Sequence, residues 1–172
     1  FAKEKDKRLK LWIMGPCEED EEYAGECFEL VDLLGVEDVI FTGKVDVTEY
    51  LGKMDMTILT SISEGQPLTI LESFAAKKPV IATDVGNCRG LIYGEGDSFG
   101  EAGIITHIMN VEEIAAAMVD LACHREKRIG MGKNGYRRLK SRYLVEDMKE
   151  TYRQIYRQFE DEGRVQGKKG DV

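Results

Sequence analysis

Two hydrophobic patterns alternate along the chain, short unbroken apolar runs and apolar residues spaced three or four apart. "LKLWIMG" (9–15) is an unbroken run closed by Gly15-Pro16, which predicts a buried strand. "DVIFTG" (38–43), "DMTILTS" (55–61), the run 79–83 and "GEAGIIT" (100–106) predict four more. Between the first two runs, Tyr23, Cys27, Leu30, Val31 and Leu34 recur at helical spacing inside "EEDEEYAGECFELVDLLG". Acidic residues crowd the first turns of that helix, where the macrodipole favours them, and Gly35 is its expected C-cap. Further helices are predicted over 47–54, 67–78, 110–122, 125–140 and 146–160. The aromatic stripe in "TYRQIYRQF" (151–159) is expected to pack into a core and anchor the last helix to the sheet or to a neighbouring domain. The folded domain is expected over 1–160, followed by a polar tail over 161–172.

Strands alternating with helices over short loops predict an α/β fold, a Rossmann-like parallel sheet with helices on both faces. On such sheets ligands gather at the carboxyl ends of the strands. A length of 172 residues suits one domain with a proper core. The net charge of −8 argues against nucleic acid as a partner. No apolar run approaches the ~20 residues that span a bilayer. Four scattered cysteines without a Cys-x-x-Cys pair suggest reduced thiols and a cytoplasmic setting, and two histidines leave little material for a metal site or a catalytic triad. A chain beginning at Phe1 is expected to be a fragment of something longer.

The chemistry concentrates in "SEGQPLTILESFAAKKPVIATDVG" (63–86). Pro67 suits the first position of a helix, with Leu68, Leu71, Phe74 and Ala75 on its apolar face and Pro79 ending it. The free amides of Leu68 and Thr69, at the positive end of the dipole, would then make an anion cradle at the sheet edge. Glu72, just over a turn in, is placed to accept hydrogen bonds from sugar hydroxyls, and Glu64 lies on the other side of the anion. The bland alternative is that both carboxylates merely stabilise a helix start. "GEGDSFG" (94–100) reads as a flexible surface loop rather than a dinucleotide fingerprint. Cys88, with Arg89 beside it, is either a thiol of lowered pKa or a structural one, and the structural reading is preferred.

The 63–86 segment resembles the donor-binding segment of family-4 retaining glycosyltransferases, whose Glu-x7-Glu motif is matched by Glu64 and Glu72. "LWIMGP", "FTGKV" and "GKNGYRRLKSRYLVEDMKETYRQIY" fall in the family's order, so the resemblance covers residues 9–160. "EGQPL" and "LWIMGPCEEDEEYAGEC" are most similar to the PelF-type enzymes of Pel exopolysaccharide synthesis. The resemblance implies the C-terminal, nucleotide-sugar-binding half of a two-domain GT-B enzyme. Glu72 would bind the ribose hydroxyls, and Glu64 would lie beside the transferred sugar in the catalytic position. Gly65, Gln66, Pro67, Leu68 and Thr69 would serve the sugar and diphosphate, and Gly43, Lys44 and Val45 the base. The donor would be a UDP-sugar, UDP-glucose by family habit, with a glycan acceptor and no metal or other cofactor.

The family pattern is broken in two places. Gln66 and Pro67 stand where many members carry an aromatic residue and glycine, and proline removes one backbone donor. The Arg and Lys that grip the diphosphate come, in the family, from a first strand and loop that would lie upstream of Phe1. That strand is central in the family's sheet, so open edges beside "LKLWIMG" or "DMTILTS" are expected, and with them homodimerisation. The missing N-terminal domain would be a further partner, and an isolated half would be inactive. A non-catalytic nucleotide-binding or interaction module is the competing reading, and a nicotinamide-dependent oxidoreductase lacks its glycine-rich turn.

Overall fold

The computed structural model describes residues 1–167. Among these residues five parallel strands form two sheets. β1 (Leu11–Met14) pairs with β2 (Val39–Gly43), and β3 (Thr57–Leu59), β4 (Val80–Thr83) and β5 (Gly103–Thr106) pair in that order. The helices are α1 (Ala2–Lys5), α2 (Glu21–Leu33), α3 (Val47–Leu51), α4 (Leu68–Ala75), α5 (Cys88–Tyr93), α6 (Val111–Cys123), α7 (Arg125–Arg142) and α8 (Val145–Gly167). This is the expected α/β arrangement with parallel strands, opened between β1 and β3. A cavity of about 1040 Å³ lies there, lined by Trp12 and Ile13 of β1 and by Ile58 and Leu59 of β3.

β4 explains why the three-stranded sheet holds. All four of its residues are buried, and their side chains alternate between faces. Val80 and Ala82 join Ile70, Phe74, Leu91 and Ile92 in one core, while Ile81 joins Leu121 and Met131 in the other. A strand covered on both faces needs the continuous apolar run that "PVIAT" supplies.

The helix ends follow local chemistry. Asp20 caps α2 by accepting from the Tyr23 amide at 3.0 Å, and Asn110 caps α6 by accepting from the Glu113 amide at 3.1 Å. Gly35 terminates α2 as expected, at φ +57°. α4 is shorter than the expected 67–78. Pro67 is its N-cap rather than its first turn, with ψ 119°. The helix ends at Ala75, four positions ahead of Pro79, because Lys77 turns to φ +57° and the Lys77 and Lys78 amides donate back to Phe74 O and Ser73 O.

α7 seats against α4 through small residues. A β-carbon on Gly132 would lie 2.1 Å from Lys77 O, and one on Gly135 would lie 2.4 Å from the Phe74 ring. One turn on, Arg138 is 1% exposed and grips the 94–100 segment. Its Nε donates to Asp97 Oδ2 at 2.7 Å and its Nη2 to Asp97 Oδ1 at 2.9 Å and Gly100 O at 2.8 Å. Its Nη1 donates to Leu91 O and Ile92 O, both at 3.0 Å. The segment is therefore a loop, as expected, but a tethered one.

The stripe on α8 does not anchor that helix to the sheet. Tyr156 is 66% exposed and Phe159 67%. Leu139 and Tyr143 are the last residues to pack against the core, so the chain has left it before α8 begins. α8 also continues to Gly167, into the expected tail; residues 168–172 lie outside the described residues. Among the described residues no helix is long and apolar enough to cross a membrane.

Candidate functional site

The carboxyl ends of β3 and β4 carry two loops that hold each other. After β3 the chain runs through Ser61, Glu64, Gly65 and Gln66 into α4, and after β4 it runs through Asp84 and Gly86 into α5. Thr83 Oγ1 donates to Ser61 O at 2.5 Å, and the Asn87 amide donates to Gly65 O at 2.8 Å. Gly86 adopts φ +48°, and a β-carbon there would fall 2.1 Å from Glu64 O. Glycine is required on both counts, conformation and space.

Glu64 is half-buried, and its Oε1 accepts from Ser61 Oγ at 2.7 Å. That bond fixes the carboxylate while leaving its other oxygen for a ligand. Pro67 is buried, whereas Gly65, Gln66, Leu68 and Thr69 are exposed. No protein acceptor takes the Leu68 or Thr69 amides among the described residues, as the first turn of a helix dictates. Glu72 is exposed on the next turn, with no hydrogen bond or ion pair to its carboxylate among the described residues, and it lines the cavity between the sheets. Two carboxylates and two open amides thus stand around one helix N-terminus. Such an arrangement can take an anion on the amides and hydroxyl donors on the carboxylates.

Gly43, Lys44 and Val45 lie at the carboxyl end of β2. Gly43 is opposite Met14 at φ +66°, and its carbonyl accepts from the Gly15 amide at 3.1 Å. Lys44 is exposed and makes no ion pair among the described residues. Among the described residues no hydrogen bond joins this turn to the Glu64–Glu72 segment, because β1 and the cavity lie between them.

Residues on the β4–α5 loop escaped the sequence reading. Asp84 forms a two-pronged ion pair with Arg89, with Nε to Oδ1 at 3.1 Å, and the guanidinium lies 5.6 Å over the Tyr93 ring. The Arg89 hydrogen bond, ahead of its charge, holds the Asp84 carboxyl below the usual carboxylate range. The missed signal was positional: "TDVGN" leaves a buried strand at the same sheet edge as "SISEG". Cys88 is fully buried, and desolvation pushes its thiol up, with the charges of Glu64 and Asp84 adding to it. Arg89 is engaged by Asp84, so Cys88 is a structural thiol and not an activated one. A second depression, about 510 Å³, lies near Asp120 and Lys127, whose side chains already pair with each other.

Alpha-monoglucosyldiacylglycerol synthase of Streptococcus pneumoniae is 35% identical over 136 residues, which cover 70% of this chain and 30% of the synthase. The fold matches that of HepE from Anabaena, solved with UDP and with UDP-glucose. The TM-scores are 0.79 and 0.76 at 19% and 18% identity, over 88% and 87% of this chain and 41% of HepE. It also matches the C-terminal domain of a glycosyl transferase group 1 family protein (LpcC) from Francisella tularensis. There the TM-score is 0.72 at 23% identity, covering 84% of this chain and 74% of that one. The chain spans about a third of the length of the curated relatives it matches. Residues 1–124 match the family described as Glycosyl transferases group 1, and the chain belongs to that family.

Proposed function

We propose that this chain is the donor-binding part of a retaining glycosyltransferase of the PelF-like kind, working on a UDP-sugar. The observation that carries the proposal is the pair Glu64 and Glu72 around the open amides of Leu68 and Thr69. Glu72 accepts hydrogen bonds from the ribose hydroxyls. The amides of Leu68 and Thr69 and the α4 dipole receive the diphosphate, which already carries the negative charge that a helix start favours. Pro67 donates nothing there, so the phosphate contact falls on the residues after it.

Glu64, held by Ser61, faces the transferred sugar. As the bond to the diphosphate breaks, positive character grows on the sugar ring, and a fixed carboxylate favours that state over the ground state. Gly43, Lys44 and Val45 receive the base from across the gap. Helix amides and cationic side chains neutralise the leaving diphosphate without a metal or further cofactor. UDP-glucose is the leading donor, in keeping with the ligand named for HepE. The acceptor is a glycan, and a second, acceptor-binding domain completes the enzyme. The four free thiols fit a cytoplasmic setting, where UDP-sugars are made.

Calorimetric titration of UDP, UDP-glucose and NAD into an enzyme carrying these residues tests the proposal. UDP and UDP-glucose should bind and NAD should not. Absence of UDP binding by a folded enzyme would overturn it.

A further inference from the structure

We infer that Ser61 and Thr83 are positioning residues that aim the Glu64 carboxylate, through two hydrogen bonds rooted in the buried strand β4. The inference rests on the reading of Glu64 as the carboxylate that faces the transferred sugar, and it brings to that site two residues that the Glu64–Glu72 motif does not contain.

The connection starts in the middle of the three-stranded sheet. β3 and β4 run parallel with Leu59 beside Ala82, so Thr83, the last residue of β4, stands level with the first loop residues after β3. Thr83 is buried, and on its other side it pairs with Thr106 of β5. A β-branched side chain there has few rotamers, and its hydroxyl donates to Ser61 O at 2.5 Å. Ser61 Oγ then reaches Glu64 Oε1 at 2.7 Å. An ionised carboxylate only accepts, so the serine hydroxyl is the donor and the bond is charge-assisted.

The main chain around Glu64 is held independently of that bond. Gly65 O accepts from the Asn87 amide at 2.8 Å, and Gly86 lies so close that a β-carbon there would fall 2.1 Å from Glu64 O. The freedom left at Glu64 is that of its side chain, and the Ser61 hydroxyl is its one hydrogen-bond partner among the described residues. Ser63, directly before Glu64, is exposed and makes no side-chain hydrogen bond among the described residues, so position and not mere abundance of hydroxyls selects Ser61. Ser61 is half-buried and lies outside both core clusters, so its hydroxyl serves the carboxylate rather than the packing of the fold. With Oε1 held, Oε2 is presented in one direction. A carboxylate free to swing must reorganise as positive charge grows on the sugar, whereas one already fixed does not.

The test measures turnover, donor KM, UDP affinity and melting point in an enzyme carrying these residues. Ser61→Ala should lower kcat by about tenfold or more, with donor KM and UDP affinity within about twofold and the melting point within about 2 °C. Ser61→Thr, which keeps the hydroxyl, should recover most of the rate. Thr83→Val keeps the shape of Thr83 without its hydroxyl and should lower kcat by about threefold or more, and Thr83→Ser should not. Placed in Glu64→Gln, where the charge is already gone, Ser61→Ala should cost less than about threefold further. Full turnover in Ser61→Ala beside a slow Glu64→Gln would overturn the inference and leave the reading of Glu64 standing. A raised donor KM or weakened UDP binding in Ser61→Ala would overturn it too, because Ser61 would then touch the ligand itself. So would an undiminished loss in the Glu64→Gln background, or a fall in melting point that Ser61→Thr does not reverse. Near-full turnover in Glu64→Gln would instead overturn the reading of Glu64, and the inference with it.

Discussion

Replacing Arg138 by Met isolates a buried polar contact that ties α7 to the 94–100 loop. The substitution keeps most of the buried volume and removes a guanidinium that is 1% exposed beside an Asp97 that is 5% exposed. Five hydrogen bonds of 3.0 Å or less disappear with it: two to the Asp97 carboxylate and one each to the carbonyls of Leu91, Ile92 and Gly100. Removing one partner of a buried pair costs about 3–5 kcal/mol, because the other charge is left unpaired. For a domain of this size that corresponds to a melting point lower by about 6–20 °C. Urea unfolding followed by circular dichroism gives the difference directly. The double variant Arg138→Met with Asp97→Leu removes the orphaned charge and should recover part of the loss, leaving the cost of the three carbonyls. A loss below about 1 kcal/mol in the single variant would refute this role for Arg138, and the 94–100 loop would have to be held by other contacts.

Two further outcomes follow from neighbouring geometry. The hydrogen bond from Arg138, ahead of its charge, lowers the Asp97 pKa from 3.8 to about 2. Its stabilisation is therefore present above about pH 4 and lost as the pH falls toward 2, and acid titration of Arg138→Met should be flatter through that window; an unchanged profile would contradict the pairing. Gly132→Ala places a methyl 2.1 Å from the Lys77 carbonyl, which is backbone and yields little, so destabilisation of about 1–3 kcal/mol is expected in urea unfolding and a neutral result would refute close α4–α7 contact.

The strands were legible because each is a short unbroken apolar run, and β4 is buried throughout in keeping with its composition. The long helices α2, α6 and α7 were legible from spacing and caps. α1 and α5, of four and six residues, were not expected from the sequence, although α3, at five residues, was. The end of α4 was misplaced because a lysine in the left-handed conformation leaves no sequence mark, whereas Pro79 two residues on does. The stripe on α8 revealed an amphipathic helix without revealing what its face meets. Within the candidate site, Glu64 and Glu72 stood out through their places around a helix start. The brace behind them, Thr83, Gly86 and Asn87, depends on contacts between two loops some twenty residues apart, which no local pattern encodes.

The central assignment, Glu72 on the ribose and Glu64 on the transferred sugar, is tested most directly by measuring UDP affinity in Glu72→Ala and Glu64→Gln side by side, in an enzyme carrying these residues. Glu72→Ala removes charge-assisted hydrogen bonds at an exposed site, so UDP binding should weaken by about 1.5–3 kcal/mol with the fold unchanged. Glu64→Gln should leave UDP affinity within error, because UDP lacks the transferred sugar that Glu64 faces, and should lower kcat by about 10²-fold or more. Equal UDP affinity in Glu72→Ala and the unmodified protein, or near-full turnover in Glu64→Gln, would contradict the assignment and leave the two carboxylates as stabilisers of a helix start.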